Sequence, residues 1–247
     1  MPAAPVRIRA VLFDLGGTLV DGSDFDRWAD VAQQRGWPID ADALRHFFQE
    51  VERERDTAPF FPDPGASNVE FWRRILERAS ARPVTTAEAA SYADTIHSVE
   101  PVPRLFSDSR RCLEQLRSDD RRLAVVSNST GEPAVRRILE RVGLLGFFEQ
   151  VVSSGTEGVA KPDPEIFRRA TARLGVRPDE SLYVGDLPTT DARGARAAGL
   201  HSVWLNREGF GLGDDPPEIT SLLEVPLVVA QLEGTPATGA PARHAFK

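Results

Sequence analysis

The sequence predicts an α/β protein whose parallel sheet is interrupted by an inserted block of helices. Two observations carry that expectation. From about Pro101 onward, short apolar runs rich in β-branched residues alternate with helix-like stretches, the order of a parallel sheet joined by helical crossovers. One more such run, Val6–Asp14, stands alone near the start, and helical patterning with little strand signal separates it from the rest. The lone strand belongs to the same sheet, so residues 21–98 read as an insertion.

Each element has its own signal. "VRIRAVLFD" alternates and then becomes continuously apolar, a buried strand ending at Asp14. Asp24–Arg35 is the first helix of the insertion. Asp40 is placed to cap the second, through "ALRHFFQEVERER". A Pro-rich loop, "DTAPFFPDPGA", follows. The third helix is predicted to start at Ser67 and the fourth at Thr85, because "SNVE" and "TTAE" have capping-box spacing. Beyond Pro101 the predicted strands are Arg122–Asn128, Glu149–Ser154, Ser181–Asp186 and His201–Asn206. The helices between them are Glu132–Val142, Pro164–Leu174 and Asp191–Ala198, the last ended by Gly199. The tail after Leu232 is rich in Pro, Gly and Ala and reads as disordered.

Composition narrows the function. The chain has 247 residues and a formal net charge of −7, which argues against a broad nucleic-acid surface. A local cationic pocket for a small anionic substrate remains compatible with that charge. The single cysteine, Cys112, excludes an intrachain disulfide and a cysteine zinc cage. In "SRRCLEQLR" it reads as an apolar helix-face residue. No signal-peptide-like segment opens the chain and no run approaches membrane-spanning length. The expectation is a cytoplasmic protein, a monomer or homodimer, with no membrane partner.

Ligands of open parallel sheets bind beyond the carboxyl ends of the strands. Asp14, Ser127, Asn128 and Asp186 fall there, and Lys161 lies in the loop "GVAKPDPEIF" after the strand "VVSS". Each has an ordinary alternative: Asp14 as a turn residue, Ser127 and Asn128 as caps, Lys161 as a solvated loop lysine, Asp186 and Asp191 as helix caps. Together they place a nucleophile candidate, a hydroxyl, a cation and further carboxylates on one rim.

The stretches "VLFDLGGTLVD", "LAVVSNST", "KPDPEIF" and "YVGDLPTTDARGARAAG", in this order, resemble the haloacid dehalogenase superfamily. The resemblance is to its phosphatase-like branch, with a helical cap after the first strand. It implies a Rossmann-like parallel-sheet core (residues 1–20 and 99–233), a helical-bundle cap domain (21–98) and a tail (234–247). It implies an Mg²⁺-dependent phosphatase of small phosphorylated metabolites acting through an aspartyl phosphate. Asp14 would be the nucleophile. Ser127, Asn128 and Lys161 would hold the phosphate, with Ser127 and Lys161 also catalytic. Asp14, the Gly16 backbone, Asp186 and Asp191 would form the Mg²⁺ site, Asp191 directly or through water.

One position departs from the family pattern. Its phosphatases carry a second aspartate two residues after the nucleophile, which protonates the leaving group and later activates water. Here that position is Gly16, which keeps a backbone carbonyl but offers no proton carrier. Gly17 matches the family glycine, which permits a tight turn beside phosphate. General acid–base catalysis is worth ~10²–10⁴-fold, or roughly 3–5 kcal/mol of barrier. The departure implies a slow enzyme or one limited to activated phosphates. It leaves two other readings open: a metal-independent 2-haloacid dehalogenase-like hydrolase, since the family's dehalogenases also lack that aspartate, and a non-catalytic phosphate-binding protein. Asp21 is a conceivable substitute acid–base, although relatives that keep the second aspartate also carry an acidic residue there.

Of the cap aromatics, Trp28, Trp37, Phe47, Phe48, Phe71 and Trp72 read as the insertion's own core. Phe60 and Phe61, in the Pro-rich loop, are better placed to face substrate. Arg73 and Arg74 read as surface arginines, and His46, His97 and His201 pair with no motif.

Overall fold

The computed structural model describes residues 6–57, 64–98, 102–207 and 217–234. It divides into two compact units, residues 1–21 with 103–247 and residues 22–102. Phe60, Phe61 and the tail beyond Gly234 lie outside the described residues.

The first unit is built on a six-stranded parallel sheet. In chain order its strands are β1 (Ala10–Phe13), β4 (Arg122–Ser127), β5 (Gln150–Ser153), β6 (Ser181–Gly185), β7 (His201–Leu205) and β8 (Glu218–Ile219), with spatial order β5-β4-β1-β6-β7-β8. The short strands β2 (Val20–Asp21) and β3 (Arg104–Leu105) pair antiparallel beside it. Helices cover both faces, which explains the continuous apolar runs. Val11 and Phe13 pack on one side with Cys112, Leu113 and Leu116 of α5 (Ser109–Ser118), Val135 and Leu139 of α6 (Glu132–Arg141) and Val225 of α10 (Val225–Leu232). Ala10 and Leu12 pack on the other with Ile166, Phe167 and Ala170 of α8 (Pro164–Arg173) and Ala195 of α9 (Gly194–Ala197). Burial in this core pushes the Cys112 thiol up to about 12, as expected of an inert helix-face cysteine.

The second unit consists of α1 (Phe25–Gln34), α2 (Ala41–Thr57), α3 (Pro64–Ser80) and α4 (Thr86–His97). Asp24 caps α1, and Asp40 accepts from the Ala43 amide at 2.7 Å. Thr85 and Glu88 form the expected capping box. Its core holds Trp28, Trp37, Phe71 and Trp72 with Tyr92, and Phe47 and Phe48 pack against it.

Two helix starts differ from expectation. α3 begins at Pro64 rather than Ser67, because proline suits a first helical turn whose amide has no partner. The helix expected from Asp191 begins instead as a π-helical turn, Pro188–Arg193, so Asp191 lies inside a turn rather than at a cap. The strand β8 and helix α10 extend the fold beyond His201–Asn206. No helix among the described residues is long and apolar enough to cross a membrane.

Candidate active site

Strand register brings the predicted residues to one edge. Phe13 aligns with Val125 of β4 and Val184 of β6, so Asp14 emerges beside the ends of both neighbours. Its amide donates to the Val184 carbonyl at 2.9 Å. Ser127 closes β4, and Asp186 follows β6.

Lys161 is at the centre, nearly sealed from solvent. Its ammonium donates to Asp14 Oδ1 and Asp191 Oδ1, both at 2.6 Å, and to the Tyr183 hydroxyl at 3.0 Å. Asn128 fixes its backbone: the carboxamide donates to the Lys161 carbonyl and accepts from the Lys161 amide, each at 2.9 Å. The loop carrying Asn128 is gripped in turn, because the Ser129 carbonyl accepts from the Ser153 and Ser154 hydroxyls and the Gly155 amide.

Burial pushes the Asp14 carboxyl up to about 6, with Asp191 adding to the rise and Lys161 opposing it. Burial alone would lower the Lys161 ammonium, but the two carboxylates hold it well above the ordinary lysine value. Burial, with Asp191 and Asp14 nearby, raises the Tyr183 phenol well above its usual range.

Carboxylate oxygens of Asp14, Asp186 and Asp191 all lie within 4.8 Å of one another. Three carboxylates therefore face one ammonium, an excess of negative charge that suits a hard divalent cation with oxygen ligands. The donors are not equivalent. Asp191 is fully buried and its oxygens are already engaged: Oδ1 by Lys161 and Tyr183, Oδ2 by the Leu187 amide at 3.0 Å. Asp186 is half-buried and accepts from the Thr18 hydroxyl at 3.2 Å.

The glycines now separate by cause. Gly17 has φ +73°, and a Cβ there would overlap the Asp186 carboxylate. A Cβ at Gly185 would overlap Asp191 in the same way. Gly16 is different: it is exposed, a Cβ there would meet nothing within 4 Å, and its φ lies outside the left-handed region. Asp21 sits in β2, opposite Arg104.

Thr18 and Tyr183 escaped the sequence reading. Thr18 follows the two glycines directly, which was a usable signal. Tyr183 looks like an ordinary apolar strand residue.

The profile of the haloacid dehalogenase-like hydrolase family matches residues 8–199. The chain belongs to that family. A glyceraldehyde 3-phosphate phosphatase of Methanopyrus kandleri is 33% identical over 205 residues, covering 81% of this chain and 84% of the relative. The crystal structure of a haloacid dehalogenase-type phosphatase from Thermococcus onnurineus matches with TM-score 0.56 and 26% identity, over 90% of this chain and 97% of that one. A 2-haloacid dehalogenase from Pseudomonas syringae pv. Tomato DC3000 matches with TM-score 0.56 and 27% identity, over 91% and 99%. The chain is a hydrolase of the phosphatase-like branch, with the α/β core and helical insertion that the sequence predicts.

Proposed function

We propose that the protein is an Mg²⁺-dependent phosphatase of small phosphorylated metabolites, working through an aspartyl phosphate on Asp14 and favouring activated phosphates. The buried Asp14–Lys161–Asp191 cluster, with Asp186 beside it, carries this reading. The named phosphatase relatives support the substrate class. Overall likeness does not separate phosphatase from dehalogenase, since one solved neighbour of each kind matches equally well. The carboxylate excess favours the phosphatase.

Asp14 and Asp186, with the Gly16 carbonyl, would hold the metal, and Asp191 would act on it through Lys161 or water. Bound Mg²⁺ would neutralise charge on the phosphoryl oxygens and keep Asp14 ionised despite its burial. An Asp14 carboxylate oxygen attacks phosphorus, and the bond from phosphorus to the leaving oxygen breaks with its electron pair on that oxygen. Water then attacks the aspartyl phosphate, releasing inorganic phosphate and restoring the carboxylate. Lys161 offsets the negative charge that gathers as one anion attacks another. Ser127 holds a phosphoryl oxygen. Asn128 contributes by fixing the Lys161 backbone.

Neither Lys161 nor Tyr183 is a ready proton donor, because both are held more basic than usual. Gly16 supplies none. Acyl and aryl phosphates, whose leaving groups depart without a proton, are therefore the better substrates.

The test is a phosphate-ester panel with Mg²⁺ or with excess EDTA. The expected result is Mg²⁺-dependent phosphate release, faster for acyl and aryl than for alkyl phosphates. Activity that survives full chelation, or halide release from 2-haloacids without metal, would overturn the reading.

A further inference from the structure

We infer that Arg207, anchored by Asp108, is a positioning residue that holds the Gly17–Thr18 peptide against Asp186 and so sets the metal site; this rests on the reading of Asp186 as a metal ligand.

Arg207 lies just past β7, far in sequence from the loop after β1. Its guanidinium is used on two sides. Nη1 and Nη2 donate to Asp108 Oδ2 and Oδ1 at 2.9 and 3.0 Å, a forked pair. Nη2 also donates to the Thr18 carbonyl at 2.8 Å, and Nε to the Gly17 carbonyl at 3.4 Å. The Phe106 ring lies 4.0 Å from the guanidinium carbon, closing a third side. Asp108 is itself fixed, because Oδ2 accepts from the Ser221 hydroxyl and the Leu222 amide, both at 2.9 Å. The next carbonyl, Leu19, accepts from the Ser109 hydroxyl at 2.8 Å and the Phe106 amide at 3.3 Å.

Three successive carbonyls of the loop are thus held from behind. On its other side, the same loop meets Asp186 through the Gly17 Cα and the Thr18 hydroxyl. The position of this peptide limits where the Asp186 carboxylate can sit. The guanidinium makes these four hydrogen bonds from one planar fork, the carboxylate bidentately; an ammonium has three N–H donors and cannot make all four. A partner that orients a metal ligand in this way typically governs metal affinity by about 10–100-fold.

Isothermal titration of Mg²⁺ into the full chain, with thermal unfolding measured alongside, tests this. Arg207→Gln is expected to weaken Mg²⁺ binding by about tenfold or more. Arg207→Lys should weaken it severalfold. Arg121→Gln breaks a remote ion pair with Glu233 and should lower Tm while leaving Mg²⁺ affinity unchanged. Wild-type affinity in Arg207→Gln overturns the proposal. So does equal loss of Tm and affinity in Arg207→Gln and Arg121→Gln, which would mark a general stability effect. If Arg207→Gln does not fold, wild-type affinity in Arg207→Lys overturns it instead. Asp186→Asn separates the two levels. If it abolishes Mg²⁺ binding while the Arg207 variants bind normally, the metal reading stands and the positioning role fails. If the wild type binds no Mg²⁺, the metal reading fails and takes this inference with it.

Discussion

The helical unit and the sheet edge of the α/β unit place their ion pairs differently. In the helical unit the ion pairs of Arg73 and Arg78 lie at the half-buried surface, although Asp56 is buried. Arg73 bridges Glu70 and Glu77 on its own helix, and Arg78 reaches Glu50 and Glu54. The interior is aromatic, with Trp28, Phe48, Phe71, Trp72 and Tyr92 in edge-to-face or tilted contact. At the sheet edge, the Lys161 ammonium and the Asp14 and Asp191 carboxylates are buried together. Solvent-accessible pairs of the first kind, here half-buried, contribute about 0–1 kcal/mol. Burying the second kind incurs a desolvation penalty that an apolar replacement would avoid. A buried cluster of this kind at the ligand-binding edge of a parallel sheet is weak evidence for stability and fits the chemical role proposed for it.

The largest expected effect tests that difference directly. Lys161→Met leaves Asp14 and Asp191 buried without their cation. It should lower stability by about 3–5 kcal/mol and cut turnover by about 10²–10³-fold, read by denaturant unfolding and phosphate release. A stable variant with normal turnover would erase the contrast between the units. Gly16→Asp works in the other direction. A Cβ there meets nothing within 4 Å and there is no left-handed backbone to strain, so turnover on alkyl phosphates should rise by up to ~10²–10⁴-fold. No rise in a folded, Mg²⁺-binding variant would show that the missing proton carrier is not the limit.

The adjacent glycines give a smaller and sharper test. Gly17→Ala forces a left-handed residue into the space of the Asp186 carboxylate. It should cost about 1–3 kcal/mol and weaken Mg²⁺ binding. Gly16→Ala should change stability by no more than about 0.5 kcal/mol. Equal behaviour in unfolding and Mg²⁺ titrations would mean that Asp186 does not depend on the room Gly17 leaves.

The same pair shows what was legible in the sequence. Apolar runs that end abruptly in Asp14, Ser127 and Asp186 mark strand tips, so the edge and its candidates could be read without coordinates. Gly17 was legible only as a turn; that Asp186 fills its Cβ space is a contact across 169 residues. Arg207 and Asp108 were invisible for the same reason, since an arginine after a strand and an aspartate before a helix each look like surface. Tyr183 was hidden by its strand, where one apolar face is also the floor of the site. In the helical unit, caps were legible because they are local, whereas the role of Phe60 and Phe61 lies outside the described residues.

The smallest expected effect belongs to the helical unit. Thr85 accepts from the Glu88 amide at 3.3 Å, and Glu88 accepts from the Thr85 amide at 2.8 Å. Thr85→Ala should cost about 1 kcal/mol, seen as a lower Tm with unchanged Mg²⁺ affinity. Hydrogen bonds from Thr85 hold the Glu88 carboxyl below its ordinary value. A depressed carboxyl stabilises the fold above its unfolded pKa and loses that contribution as pH falls through the folded one. The wild-type advantage over Glu88→Gln should therefore be full near neutrality and shrink in acid. If Thr85→Ala instead altered Mg²⁺ affinity, the division between a packing unit and a chemical edge would have to be abandoned.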